Sequence, residues 1–213
     1  INNSENIISD LVQEIEDNRG RLEVKEADME GRTAGHPLYK MLYVITKAKK
    51  AIDWSNGGPI YGTIGDYYSI QSHHIFPQAY LYRNGFQSDN HIDKKKVNEI
   101  ANRAFITRDT NFSISDKAPE NYLPVIKAEY PEALEKQFIP KEAEKWKAEK
   151  FDEFLLERRI WIAKEINKYL ENLKNHSPDN NEEVEEKQTR NWVEFFKQEE
   201  NNFIEYKSSL RVC

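Results

Sequence analysis

From Lys147 to Asn175 the chain holds one helical period, with Phe151, Phe154, Leu155, Ile162, Ile166 and Leu173 on a single face and charged residues between them. At about 1.5 Å per residue this is a long apolar stripe. It cannot stay in water and cannot cover itself, so the rest of the chain has to supply a matching surface. Most of that rest also reads as helix. Residues 4–18 repeat Ile7, Ile8, Leu11 and Ile15 at helical spacing behind Ser4 as N-cap, and Gly20 ends the run. Residues 36–51 carry Leu38, Met41, Leu42 and Ile45 on one face with Pro37 in the first turn. Residues 118–140 read as two short helices punctuated by prolines. The expected class is α+β and mostly helical.

The strands sit in one place. SNGGPIYGTIG (55–65) is a Gly/Pro-rich break, so a new unit is expected to start at Asp66. YYSIQ (67–71) is strand-like, PQAYLYRNG (77–85) reads as a short helix closed by Gly85, and RAFIT (103–107) is a second strand. RDTNFSISD (108–116) opens another helix. The order is strand, irregular crossover, strand, helix. Along the chain this gives a helical flank (1–65), a small mixed unit (66–117), a helical continuation (118–175), a charged linker (176–190) and the start of a further domain (191–213).

Composition removes several functions. Among 213 residues the one cysteine is Cys213, which leaves neither a disulfide framework nor a cysteine-based zinc knuckle, and a reducing, cytoplasmic setting is expected. No apolar run approaches the ~20 residues of a membrane span, and the first residues lack a secretory pattern. Opening on Ile rather than Met, the chain reads as an excised or processed piece. A net charge of −6 argues against a nonspecific nucleic-acid binder, although a local basic face is compatible with it.

Of five histidines, two stand side by side in His73-His74-Ile75-Phe76-Pro77. Phosphodiester hydrolysis needs a base to activate water and a cation at the leaving oxygen, and imidazole suits the base. Neighbours on a regular strand point to opposite faces, so the two rings are expected to meet in one cleft only by sitting where the strand runs out into the Pro77 turn. Asn102 and Asn111 follow, nine positions apart, one before the second strand and one at the start of the next helix. Asparagine offers a neutral oxygen for a hard cation or an amide that pins a neighbouring loop.

The combination "HHIFP … NRAFITRDTN" resembles the HNH endonucleases, the ββα-metal or His-Me finger class. More narrowly, "SHHIFPQAYL", "VNEIANRAFITRDTNFSISDKAPENYLP", "QFIP" and "DEFLLERRIWIAKEI" are similar to the HNH domain of GmrSD-type, modification-dependent restriction nucleases. The likeness spans roughly residues 36–175. It implies a ββα-metal finger embedded in surrounding helices and a phosphodiester hydrolase that cuts DNA in defence against phage. It further implies that His74 is the general base, that His73 and Asn111 hold one divalent metal, and that Asn102 secures the catalytic loop. Mg²⁺ is the ion expected, with Mn²⁺ or another transition metal as alternatives. His73 stands where the wider class has an acidic ligand, which shifts the site toward transition metals. A ParB-like nucleotidase domain normally precedes this nuclease domain, and no part of this chain corresponds to it. Arg103, Arg108 and Lys117 are the expected contacts to the DNA backbone. "NNFIEYKSSLR" is similar to the opening of a Schlafen/AlbA-like domain whose strand would carry Glu205 and Lys207; it serves as a boundary marker.

Plainer accounts stand beside these. The histidine pair alone would be an exposed loop pair, Asn102 a turn residue and Asn111 an N-cap. Arg158 and Arg159 read as an exposed or ion-paired face of the long helix. His91 and Lys94 to Lys96 read either as a solvated loop or as a basic run that follows a DNA strand. The rival function is a finger that grips nucleic acid or a partner without cutting.

Overall fold

The structure, a computed structural model, describes residues 23–61 and 69–175, with side chains as far as residue 173. The expected helix at 4–18, the linker, the terminal segment and the beginning of the first expected strand lie outside the described residues. The chain divides into two compact units, Ile1–Glu171 and Asn172–Cys213.

Helix α1 (Pro37–Ala48) begins as its sequence demands. Pro37 occupies the first turn, where a missing N–H costs nothing, and the His36 ring accepts from the Leu38 N–H at 3.3 Å. Strand β1 (Ile70–His74) is followed by α2 (Gln78–Arg83) and α3 (His91–Val97), then by β2 (Arg103–Thr107) and α4 (Arg108–Ile114). Helices α5 (Pro119–Glu129) and α6 (Pro131–Lys136) are separated by the helix break at Tyr130–Pro131. The long helix α7 (Phe151–Asn175) completes the described elements. The fold is therefore α+β and mostly helical, with one two-stranded antiparallel sheet among the described residues.

Two expectations need correction. The first strand runs Ile70–His74, so both histidines lie inside the ladder, His73 opposite Ala104 and His74 opposite Arg103. The β-branched and aromatic content of YYSIQ drew the expected strand too early; pairing with buried RAFIT sets the register instead. The crossover is not irregular either. Asn90 caps α3, its side chain accepting from the N–H groups of Ile92 (2.9 Å) and Asp93 (3.3 Å). Lys96 is tied to Asp152 on α7 at 2.9 Å.

The core forms where α7 meets the ββα unit. Phe76 is fully buried with ring centroids 4.9 Å from both Phe151 and Phe154. Burying such a side chain stabilises the fold by about 1.5–3 kcal/mol. The outer edge of β2 is closed by a side chain. Gln137 donates to the Phe105 carbonyl at 2.6 Å and accepts from the Phe105 N–H at 2.7 Å, as a third strand would.

Arg158 overturns the expectation of an exposed face. It is wholly buried and donates to three carbonyls, those of Ala101 (2.6 Å), Arg103 (2.5 Å) and Gln137 (3.1 Å). Burial pulls its pKa down to about 9. Its guanidinium braces the carbonyls on either side of Asn102. Arg159, by contrast, faces Glu30 and Glu99 at 3.5 Å each.

Candidate active site at the end of the paired strands

Because β1 stays regular to its last residue, its two histidines leave on opposite faces and do not meet in one cleft as expected. His73 is 3% exposed. Its Nδ1 lies 2.8 Å from Asn111 Oδ1 and its Nε2 lies 3.4 Å from the Tyr122 hydroxyl. Trp54 and Tyr122 meet it edge-on, with centroids 5.6 and 6.0 Å away. Burial, outweighing the Asn111 hydrogen bond, pushes its pKa down to about 4, so the ring is neutral at pH 7.

Neutrality leaves one proton to place. Tyr122 donates its own proton to the Ile75 carbonyl at 2.6 Å and offers His73 Nε2 only a lone pair. The shorter contact decides the tautomer: Asn111 Oδ1 can only accept, so Nδ1–H donates to it at 2.8 Å and Nε2 is left with the lone pair. A cation shared by the ring and Oδ1 would have to displace that proton. Two adjacent ligands on an ion with bonds of about 2.1 Å stand roughly 3 Å apart, close to the spacing seen here. Among the described residues no group of three or more His, Cys, Asp or Glu side chains forms a metal cage. An ion at this place would take two neutral donors from the protein and the rest from solvent and substrate oxygens.

Asn111 is delivered by α4, and it is not the cap of that helix. Thr107 is the N-cap, accepting from the Thr110 N–H at 3.4 Å. Asp53 clamps the junction: its carboxylate accepts from the Thr107 N–H (2.7 Å) and the Thr110 hydroxyl (2.5 Å). Burial alone would raise the Asp53 pKa, but the donors from Thr110, Thr107 and Ser55 bring it below the ordinary carboxylate value. Gly57 lets this turn close, at φ +65° and with no room for a Cβ, which would stand 2.7 Å from the Tyr130 ring.

Asn102 is fully buried, and its amide makes three bonds to backbone. Oδ1 accepts from the Phe76 N–H at 2.9 Å, while Nδ2 donates to the carbonyls of Phe76 (3.0 Å) and Val97 (2.9 Å). Its own carbonyl accepts from the Ile75 N–H at 2.9 Å. The Ile75-Phe76 segment just after His74 is thus held to the entrance of β2.

His74, half-buried, faces a second polar cluster. Its Nε2 is 3.2 Å from Asn98 Oδ1, which also accepts from Gln78 Nε2 (2.7 Å) and Arg103 Nη2 (3.2 Å). Burial and the Arg103 guanidinium hold its pKa well below the ordinary histidine value, against the Asn98 hydrogen bond.

The structure brings His73 and Asn111 together, and places Asn102 on the loop after His74. Arg103 belongs to the His74 cluster. Arg108 and Lys117 are exposed on and after α4; Arg108 lies 5.4 Å from the centroid of the exposed Phe112 ring, and Lys117 donates to the Ser113 carbonyl at 2.8 Å. Sequence reasoning passed over Trp54, Asp53, Gln78, Asn98 and Tyr122. For Gln78 and Asn98 a signal existed, four residues after His74 and four before Asn102, but assigning Asn98 a face required recognising α3.

No protein-family model matches the chain, and no solved structure matches it. Uncharacterized protein MJ0686 of Methanocaldococcus jannaschii is 27% identical over 92 residues, which is 43% of this chain and 14% of that protein. The chain therefore spans well under two thirds of that relative's length, and the likeness is one of sequence over a shared segment.

Proposed function

We propose that this chain is a metal-dependent DNA endonuclease of the HNH type, the nuclease part of a modification-dependent restriction protein that acts in the cytoplasm against phage. The observation that carries the proposal is the convergence on one strand–strand–helix frame. His73 and Asn111 stand 2.8 Å apart, while Asn102 makes three amide bonds that tie the loop following His74. A fold that needed only a core would have no use for this much buried, position-specific polar chemistry.

In this reading His73 and Asn111 hold one divalent ion, Mg²⁺ or Mn²⁺, whose chemistry when bound is to polarise the phosphate and stabilise the departing 3′ oxygen. His74, neutral at pH 7, takes the proton of the attacking water. Asn102 keeps the segment after His74 in one conformation and so orients the base. Arg103, Arg108 and Lys117 contact phosphates, and a ParB-like nucleotidase domain is the proposed partner in the full-length protein. The absence of a helix long and apolar enough to cross a membrane, among the described residues, is compatible with that setting.

A non-cutting binding module is the second reading. It is favoured by the burial of His73 and by the neutral, two-residue donor set. Nicking of supercoiled plasmid with Mg²⁺, Mn²⁺ or EDTA separates the two. Metal-dependent nicking by the wild type that is lost in His74→Ala is expected. DNA binding by the full-length parent, with no nicking under any metal, would favour the second reading.

A further inference from the structure

Asn98 lies just after α3, its side chain amide donating back to the Lys94 carbonyl at 2.9 Å. A carbonyl can only accept, so Nδ2 must point toward α3. On the other side stands Arg103 Nη2, 3.2 Å from Oδ1, and a guanidinium can only donate. Two one-way partners thus fix which end of the amide is which, a point that distance alone would leave open. Arg103 is in place because it sits directly opposite His74 in the ladder, so both side chains leave the same face of the sheet.

The amide oxygen so oriented is also 3.2 Å from His74 Nε2. An oxygen there requires an N–H on the ring nitrogen that faces it. Gln78 Nε2 donates to the same oxygen at 2.7 Å and also stands 3.4 Å from His74 Nε2, a longer contact than either the 2.7 Å bond it makes or the 3.2 Å between the ring and Asn98. Among the described residues Nδ1 of His74 has no hydrogen-bond partner.

We propose that Asn98 is a positioning residue that holds neutral His74 as the Nε2–H tautomer, so that Nδ1 carries the lone pair available to a substrate water. The proposal rests on the reading of His74 as the base, but it names a nitrogen and a residue that the reading leaves open. Asn98 touches no reacting atom in this account. Its effect passes through the ring, as an outer partner sets the tautomer of a working histidine.

The test is long-range ¹H–¹⁵N NMR of histidine-labelled full chain at a pH where the ring is neutral, run beside plasmid nicking with Mn²⁺. The wild type is expected to show His74 as Nε2–H. Asn98→Leu removes the acceptor and is expected to populate the Nδ1–H form, with nicking reduced on the order of tenfold to a hundredfold. Asn98→Asp keeps an acceptor oxygen and is expected to restore the Nε2–H form and most of the nicking. An Nδ1–H tautomer in the wild type, or an unchanged tautomer in Asn98→Leu, overturns the proposal, and the wild-type spectrum decides even where Asn98→Leu fails to fold. A wild type that never nicks, with the full-length parent equally inactive, yet shows the Asn98-dependent tautomer overturns the nuclease reading and supports the Asn98 assignment.

Discussion

The two faces of β1 carry the same side chain one residue apart and treat it differently. His73 is sealed among Trp54, Tyr122 and Asn111, whereas His74 keeps an edge toward solvent within an amide and guanidinium cluster. Both rings are neutral at pH 7, driven there by burial in each case. What separates them is the chemistry of the neighbours. The His73 partners set a ring nitrogen against an amide oxygen that a cation can join by displacing the ring proton. His74 instead faces one amide oxygen, Asn98 Oδ1, on which donors from Gln78 and Arg103 also gather, and its opposite ring nitrogen has no partner among the described residues. Strand alternation alone thus gives the paired motif two different environments, which the proposed function reads as a metal side and a water side.

The largest expected effect that would break this contrast is at His74. Replacement by Ala is expected to cut nicking by about 10²–10⁴-fold while unfolding stability changes by less than about 1 kcal/mol. Plasmid assays and urea titration check the two halves separately. Asn102 comes next. Asn102→Ala orphans the Phe76 N–H and the carbonyls of Phe76 and Val97, and is expected to cost about 3–5 kcal/mol in urea unfolding. Asn102→Asp should be no milder despite its shape, because both carbonyls would then face a carboxylate oxygen.

The sealed face has a pH signature. Folded His73 titrates near 4 rather than at its ordinary 6.5, so between those values the unfolded chain binds more protons than the folded one. Its contribution to stability is therefore complete above about pH 6.5 and is lost as the pH falls toward 4, a difference of about 3 kcal/mol. Urea midpoints at pH 7 and pH 4.5 should show it in the wild type, and His73→Gln should flatten that part of the dependence. The smallest effect is expected at the α4 junction. Thr110→Val removes a donor from Asp53 and should cost about 1–2 kcal/mol by the same assay, with a weaker Mn²⁺ dependence of nicking because Asn111 rides on that helix.

Much of the fold was legible because periodicity reports which face is buried. The long helix, the Pro37 start, the break before Pro131 and the RAFIT strand all follow from local pattern. The first strand did not, because its ends depend on pairing with β2, a long-range contact that YYSIQ alone cannot encode. Arg158 is instructive in another way. It falls on the stripe with Phe154, Leu155 and Ile162, so its burial was implied by position, yet its charge argued for the surface. The free carbonyls beside Asn102 resolve that conflict by supplying acceptors inside. The spacing of His73, His74, Asn102 and Asn111 pointed to a common site; the structure pairs His73 with Asn111, ties Asn102 to the segment after His74, and turns His74 itself toward Asn98. Tyr122 and Asp53 were invisible because their importance lies in a partner 49 and 57 positions away, and Asn98, near Asn102 in sequence, could not be tied to His74, 24 positions away, without α3.

The most direct measurement is Mn²⁺ binding, followed by electron paramagnetic resonance, to the full chain and to its His73→Ala and His74→Ala variants. The account expects the His73 variant to lose the bound ion and the His74 variant to keep it within about twofold of the wild type while losing nicking. Equal loss in both variants, or binding untouched in both, would contradict the division of labour across the two faces of β1.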